Sequence, residues 1–342
     1  MIKNRKNVKE LFNRISEKLD QLKDGYFFLV GMWNEDIAEL TLTADGNSKN
    51  IVFVEELTKA APTISKWKFT CLKPALDLKQ ANISMGEYEF NEDNLSFYAN
   101  EFAEYPDEID ITIVHNDYTE DNKDDIIHGV YIFMDNFLGE LDFLNNIDNL
   151  NITGKSRIEK ELIPVNKLKD YLIWRQKEFV EKYHAIRYNI SEDTYALFEA
   201  ECESGNMLIA TINTKLLEWD SKASHPWISI ILFKYDGKHT NGMPSEKDYE
   251  LLNKIEEEIM GELKDIDGYL NVGRQLCEGE KELYFACKDF RKPSKVFYNI
   301  QQTYSGNFEI DYDLYKDKYW KLFERFDTSS SVEEDEDDDN DE

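Results

Sequence analysis

The chain has 342 residues, of which 41% are hydrophobic, enough for about two domains with cores of their own. Its 40 Lys and Arg stand against 70 Asp and Glu, a net charge of -30. A chain this acidic repels phosphate backbones and anionic lipid surfaces, so nucleic-acid binding and membrane association are not expected of it.

The predicted elements begin with a helix in which Val8, Leu11, Phe12, Ile15, Leu19 and Leu22 recur at spacings of three and four. Such a stripe should dock on a sheet. Two β-rich runs follow, Tyr26 to Trp33 and Ala38 to Thr43, before the turn pair Asp45-Gly46. Val52 to Ala61 reads as a helix stopped by Pro62, and Trp67 to Leu72 as a strand. Further alternating, strand-like runs lie at Ile83 to Phe90, Leu95 to Tyr98, Ile109 to Val114 and Val130 to Met134. A short helix from Leu138 to Ile147 then closes an N-terminal α+β domain, 1–154. The longest apolar stretch, Tyr26 to Trp33, is far shorter than a membrane span and no secretory signal is visible, which points to the cytoplasm.

Lys155 to Arg187 carries nine basic and five acidic residues and is expected to be a basic linker helix, 155–190. Its helical part, Asn166 to Tyr183, has an apolar face of Leu168, Tyr171, Leu172, Phe179 and Tyr183, and the domain boundary is expected near Pro164. Next comes a hairpin, Thr194 to Ala200 and Met207 to Ile212. After it the order is strand Trp227 to Tyr235, helix Glu246 to Lys264, strand Tyr269 to Leu276, strand Glu282 to Cys287, helix Pro293 to Tyr304 and strand Phe308 to Tyr312. Ser245 with Asp248 three residues on makes a capping box for the first of these helices. The βαββαβ order predicts an α+β, ferredoxin-like (split βαβ) domain over 191–326, with helices on one face of its sheet. Beyond it, nine of the ten residues from Glu333 to Glu342 are acidic, so 327–342 is expected to be a disordered acidic tail. Removing it still leaves a strongly acidic remainder.

Several short motifs in this last third occur in a characteristic order. They are Pro226-Trp227 before a β-run, Gly242-Met243-Pro244 before a long helix, Val272-Gly273-Arg274, Gly279 with Glu282-Leu283-Tyr284-Phe285, and Asp317 with Trp320, Phe323 and Phe326. In these features 193–326 resembles the bacterial domain-of-unknown-function family numbered 695. It departs from that pattern at Lys318, where the family tends to have proline, and at Phe323, where tyrosine is common. The resemblance implies no activity, but some such proteins are similar to immunity proteins, and the fold is similar to that of the ribonuclease E regulator B family.

Chemistry-bearing motifs are sparse. The five histidines (His115, His128, His184, His225 and His239) are scattered, none at the spacing of a helical metal pair, and the acidic loop Asn116 to Asp125 lacks the glycine and final glutamate of a calcium loop. Neither a nucleophile elbow nor a phosphate-binding glycine loop is written in the chain. No metal, cofactor or catalytic residue is expected. Cys71, Cys202, Cys277 and Cys287 lack metal-site spacing and read as buried free thiols, with Cys277 and Cys287 the pair to watch because they flank the turn at Gly279.

Four residues of the family motifs are the candidate binding residues: Arg274, Tyr284, Asp317 and Trp320. For Arg274 the plainer expectation is an ion pair with a neighbouring carboxylate. Trp320, Phe323 and Phe326, spaced by three, are expected to pin a final short helix to the sheet. The function these features favour is non-enzymatic binding of a basic protein partner, in the manner of an acidic inhibitor or immunity protein. The alternatives are an enzyme with a dispersed site around Arg274, and an acidic housekeeping protein with no specific partner.

Overall fold

The computed structural model describes residues 5–158 and 160–326, so the acidic tail lies outside the described residues. The chain divides into two units, 1–181 and 182–342, each of mixed α+β structure.

In the first unit, α1 (Arg5–Leu22) leads into β1 (Phe27–Met32) and β2 (Ala38–Thr43), an antiparallel pair. Helix α2 (Ser48–Lys59) then carries the chain over to β3 (Trp67–Cys71), parallel to β2. The α1 stripe does dock on this sheet, with the Phe12 and Phe28 rings 5.1 Å apart, yet Leu22 at its end stays exposed. After α3 (Leu78–Ala81) and the hairpin β4 (Ile83–Met85) and β5 (Tyr88–Phe90) come β6 (Leu95–Asn100) and β7 (Asp110–His115). The helices α4 (Lys123–Leu138) and α5 (Glu140–Asn146) cross over to β8 (Asn149–Gly154), parallel to β7; β9 (Ile163–Pro164) completes the sheet order β8-β7-β6-β9.

Val130 to Met134, expected as a strand, lies inside α4. Ile126, Val130, Phe133, Met134 and Phe137 are all buried, and their spacing of three and four marks one helical face; taken alone, five apolar-rich residues also fit a buried strand. The segment expected as a separate linker instead contributes Val165, Leu168 and Leu172 to the first unit's core, the latter two from α6 (Leu168–Tyr183).

One side chain ties the two layers of this unit together. Glu140, in the first turn of α5, is buried, and its carboxylate accepts hydrogen bonds from the Thr43 hydroxyl (2.6 Å) and from the backbone N–H groups of Ala44 (3.0 Å), Gly46 (2.9 Å) and Lys73 (3.1 Å). The loops after β2 and β3 are thereby fixed to the α4–α5 junction. Four donors offset the cost of dehydrating the carboxylate.

The second unit is built on one six-stranded antiparallel sheet in the order β10-β11-β13-β14-β12-β15. Its strands are β10 (Tyr195–Glu201), β11 (Met207–Asn213), β12 (Trp227–Lys234), β13 (Tyr269–Cys277), β14 (Glu280–Cys287) and β15 (Glu309–Lys316). The short α7 (Thr214–Leu217) follows β11, α8 (Glu246–Glu262) follows β12 and α9 (Arg291–Tyr304) follows β14. The Ser245 hydroxyl caps α8 by accepting from the Asp248 N–H. Both long helices cover one face: Phe297 of α9 packs 6.0 Å from the rings of Phe285 and Tyr312, and Glu256 of α8 reaches Lys281.

Among the described residues the opposite face is closed in part, by Leu216, Trp320 and the 3-10 turn Lys321–Phe326, whose Phe323 meets Tyr284 (5.5 Å) and whose Phe326 meets Phe198 (5.4 Å). At Gly273 the β13–β14 register shifts, and a Cβ there would lie 2.3 Å from the Thr211 carbonyl, so only glycine lets β11 and β13 pair at this point.

The cysteines differ from expectation. Cys277 pairs in register with Glu280 and Cys287 with Tyr269, so Cys277 and Cys287 sit at opposite ends of their hairpin. Cys202 and Cys277 are instead brought together as a disulfide pair, because the order β10-β11-β13 puts both at the same end of the sheet. Among the described residues Cys71 and Cys287 stand outside the disulfide, Cys287 buried and Cys71 exposed.

Candidate functional site

Three of the four candidate binding residues lie at the terminal 3-10 turn: Asp317 and Trp320 just before it and Tyr284 against its Phe323. Trp320 is buried, and its indole N–H donates to the His225 carbonyl at 3.0 Å. Its backbone lies in the left-handed region (φ 58°), an uncommon conformation for so large a residue. Asp317 accepts from the N–H groups of Tyr319 (3.2 Å) and Leu322 (3.3 Å), which shapes the turn that follows. Tyr284 is buried; its hydroxyl donates to Glu282 and accepts from Arg325 (3.0 Å). Burial and the Glu282 charge hold that phenol well above its ordinary pKa.

Arg274 lies on the other face of the sheet. Its guanidinium bonds one oxygen of Glu256 (2.7 Å) while the ammonium of buried Lys281 bonds the second (2.6 Å). Burial lowers the Lys281 pKa against the pull of Glu256. The structure thus gives Arg274 the ion pair that was its plainer expectation, with its head committed to α8.

Both buried histidines are hydrogen-bonded to their surroundings. The His225 Nδ1 is 2.8 Å from the Ser224 hydroxyl, and burial, then the charges of Lys288 and Arg187, push its pKa down to about 3. At His115 the Asp117 N–H donates to Nδ1 (3.1 Å), so Nε2 carries the proton and donates to the Glu89 carbonyl (3.0 Å). Burial lowers this pKa too, and the ring is neutral. No group of three or more His, Cys, Asp or Glu among the described residues is placed to hold a metal ion.

The open half of the sheet face is where charge collects. Across β14-β12-β15 the register sets three rows: Glu280, Lys234 and Glu309; Glu282, Leu232 and Asp311; Tyr284, Ile230 and Asp313. Successive residues of a strand alternate between faces, so all nine point away from α8 and α9. Five carboxylates therefore surround a strip formed by half-buried Leu232 and Ile230. Within the rows Lys234 lies 3.1 Å from Glu309 and 3.8 Å from Glu280, and Arg325 stands at the border by Tyr284. Glu309, Asp311 and Asp313 are exposed and alternate with buried Ile310, Tyr312 and Leu314 along an edge strand.

None of these carboxylates was a candidate binding residue in the sequence, although Glu282 stands in one of the family motifs and the alternation Glu-Ile-Asp-Tyr-Asp carries the signal. Ending the last strand at Tyr312 and starting β14 at Glu282 hid Asp313 and Glu280.

Tyr235, Gly242 and Gly279 explain two of the glycine motifs. The Gly279 N–H bonds the Gly242 carbonyl (2.9 Å), and Tyr235 bonds both loops through its N–H to Gly279 (2.7 Å) and its hydroxyl to Gly242 (3.0 Å). Both glycines have positive φ. These motifs knit together the loops at the end of the sheet that displays the open face. No helix among the described residues is long and apolar enough to cross a membrane.

No curated protein and no solved structure matches the chain. Residues 202–326, which hold five of the six strands and the turn that closes half of the sheet, match the model of a family of unknown function, DUF695.

Proposed function

We propose that this protein works without catalysis, by binding a basic protein partner on the open half-face of its C-terminal sheet, as an acidic inhibitor or immunity-type protein does. The observation that carries this reading is the set of five carboxylates, Glu280, Glu282, Glu309, Asp311 and Asp313, around the apolar strip of Leu232 and Ile230. Carboxylates of one sign speed the encounter with a cationic partner, and the strip offers apolar contact once water is excluded. The same field repels phosphate backbones, so nucleic acid is not the partner. In this reading 191–326 is a ferredoxin-like domain: β12, β13, β14 and β15 with α8 and α9 follow the βαββαβ order, and the hairpin of β10 and β11 widens the sheet beyond β13.

The test compares capture from native lysate by the full-length protein and by a triple variant, Glu309→Gln, Asp311→Asn and Asp313→Asn, at low and moderate salt. A basic protein held in stoichiometric amount by the parent, released by salt and lost by the variant, is the expected result. Equal capture by both, or no specific capture, overturns the reading. A chain ending at Asp327 separates the contribution of the face from that of the nine carboxylates in Glu333 to Glu342.

A further inference from the structure

The first unit holds a cavity of about 650 Å³ that is independent of the C-terminal sheet, within the range of small-molecule sites. It opens where the loops after β2 and β3 converge, with Asp45 and Gly46 on one side and Lys73 on the other. Those strands are parallel and joined by a helix, and the carboxyl ends of such strands are where open α/β sheets place ligands. α4 and α5 form the remaining wall.

Charge and shape in this cavity are divided. Leu29, Tyr131 and Ile132 line it and are exposed apolar side chains; Phe143 and Leu144 extend the same surface inward. On the polar side stand four carboxylates, Asp45, Asp135, Glu140 and Asp148, against the single ammonium of Lys73. Lys73 bonds Asp45 through one oxygen and Asp135 through one oxygen, both at 2.6 Å, so its charge is already shared between two anions. Burial works against the Lys73 charge, but those two bonds raise its pKa above the ordinary value. Burial, with help from Glu140 and Asp45, raises the Asp135 pKa despite the Lys73 bond, as expected where carboxylates outnumber cations. A second cation would relieve that excess, whereas an anion would meet a lysine already neutralised.

We propose that this cavity binds a small organic cation with an apolar body, an arylalkyl or alkyl amine, whose ammonium adds to the Asp45–Lys73–Asp135 cluster while its hydrocarbon part covers Leu29, Tyr131 and Ile132. The amine enters as a second cation beside Lys73, and the apolar wall selects against small hydrophilic amines.

Calorimetric titration of the full-length protein with three probes of one shape, tryptamine, indole-3-ethanol and indole-3-propionate, tests the proposal. Tryptamine is expected to bind at least tenfold more tightly than the neutral alcohol, and the carboxylate to show no heat. Asp45→Asn, at a side chain that is 62% exposed and so tolerant of change, should erase most of the tryptamine preference. Tyr131→Ala should weaken tryptamine and the alcohol alike. Equal binding of amine and alcohol, tighter binding of the carboxylate, or no heat from any probe at millimolar concentration overturns the proposal. None of these outcomes bears on capture of a basic protein by the C-terminal face.

Discussion

The two units share apolar cores but differ in what they add to them. The second has a six-stranded sheet with apolar side chains under α8 and α9 on one face and under Trp320, Phe323 and Phe326 on half of the other, so area burial accounts for most of its cohesion. In the first, the four-stranded sheet has an apolar core of its own, with Phe97, Ile111, Phe133 and Leu168 buried together, and the loops after β2 and β3 are joined to the α4–α5 junction through the buried carboxylate of Glu140. A broad sheet tolerates a half-face that carries charge, whereas the first unit adds a directional polar anchor to its apolar core.

Four measurements break or sharpen that contrast. Trp320→Ala should cost about 4 kcal/mol, the scale for truncating a large buried aromatic, and amide hydrogen exchange should rise in 202–326 while the first unit keeps its protection. A loss below about 1 kcal/mol would remove apolar closure as the source of the second unit's stability. Glu140→Ala should cost about 3 kcal/mol, because four donors lose their acceptor in a buried place, and the exchange increase should centre on Ala44, Gly46 and Lys73. If Glu140→Ala leaves those amides protected, the anchor is redundant and the contrast fails.

Acid acts on the second unit through His225. With a folded pKa of about 3 against an ordinary value near 6.5, the unfolded chain binds the extra proton throughout that interval. Stability from this group is complete above pH 6.5, falls by about 1.4 kcal/mol per pH unit below it, and levels off under pH 3. Chemical denaturation between pH 7 and 4 reads that slope, and His225→Gln should flatten it even though the variant is less stable at neutral pH. The smallest effect belongs to the open face: Asp311→Asn with Asp313→Asn should change the unfolding free energy by no more than about 0.5 kcal/mol, since both carboxylates are exposed. A large loss would mean that the face is structural and its charge is not there for a partner.

Much of the second unit was legible in the sequence because its signals are local. Ser245 and Asp248 announce the start of α8, and Gly279 marks the β13–β14 turn with the positive φ that such a turn requires. The spacing of Trp320, Phe323 and Phe326 correctly foretold packing on the sheet. In the first unit the signals were weaker: Val130 to Met134 fits either period over five residues, β8 was not recognised, and the apolar face of α6, though legible, carries no local sign of which core Leu168 and Leu172 join. The Glu140 anchor had no sequence signal at all, since its partners lie between 67 and 97 residues away.

The sequence by itself determined the order of helices and strands in the second unit and the acidity of the chain, because caps, turns and hydrophobic period act over a few residues. Only the tertiary structure decided which carboxylates gather and which cysteines meet. Glu282 and Asp311 flank Leu232 because β14 and β15 both pair with β12, and Cys202 meets Cys277 because β10 and β13 lie on either side of β11. Pairing between distant strands is chosen by the whole sheet, so the face those pairs create belongs to no local stretch of chain.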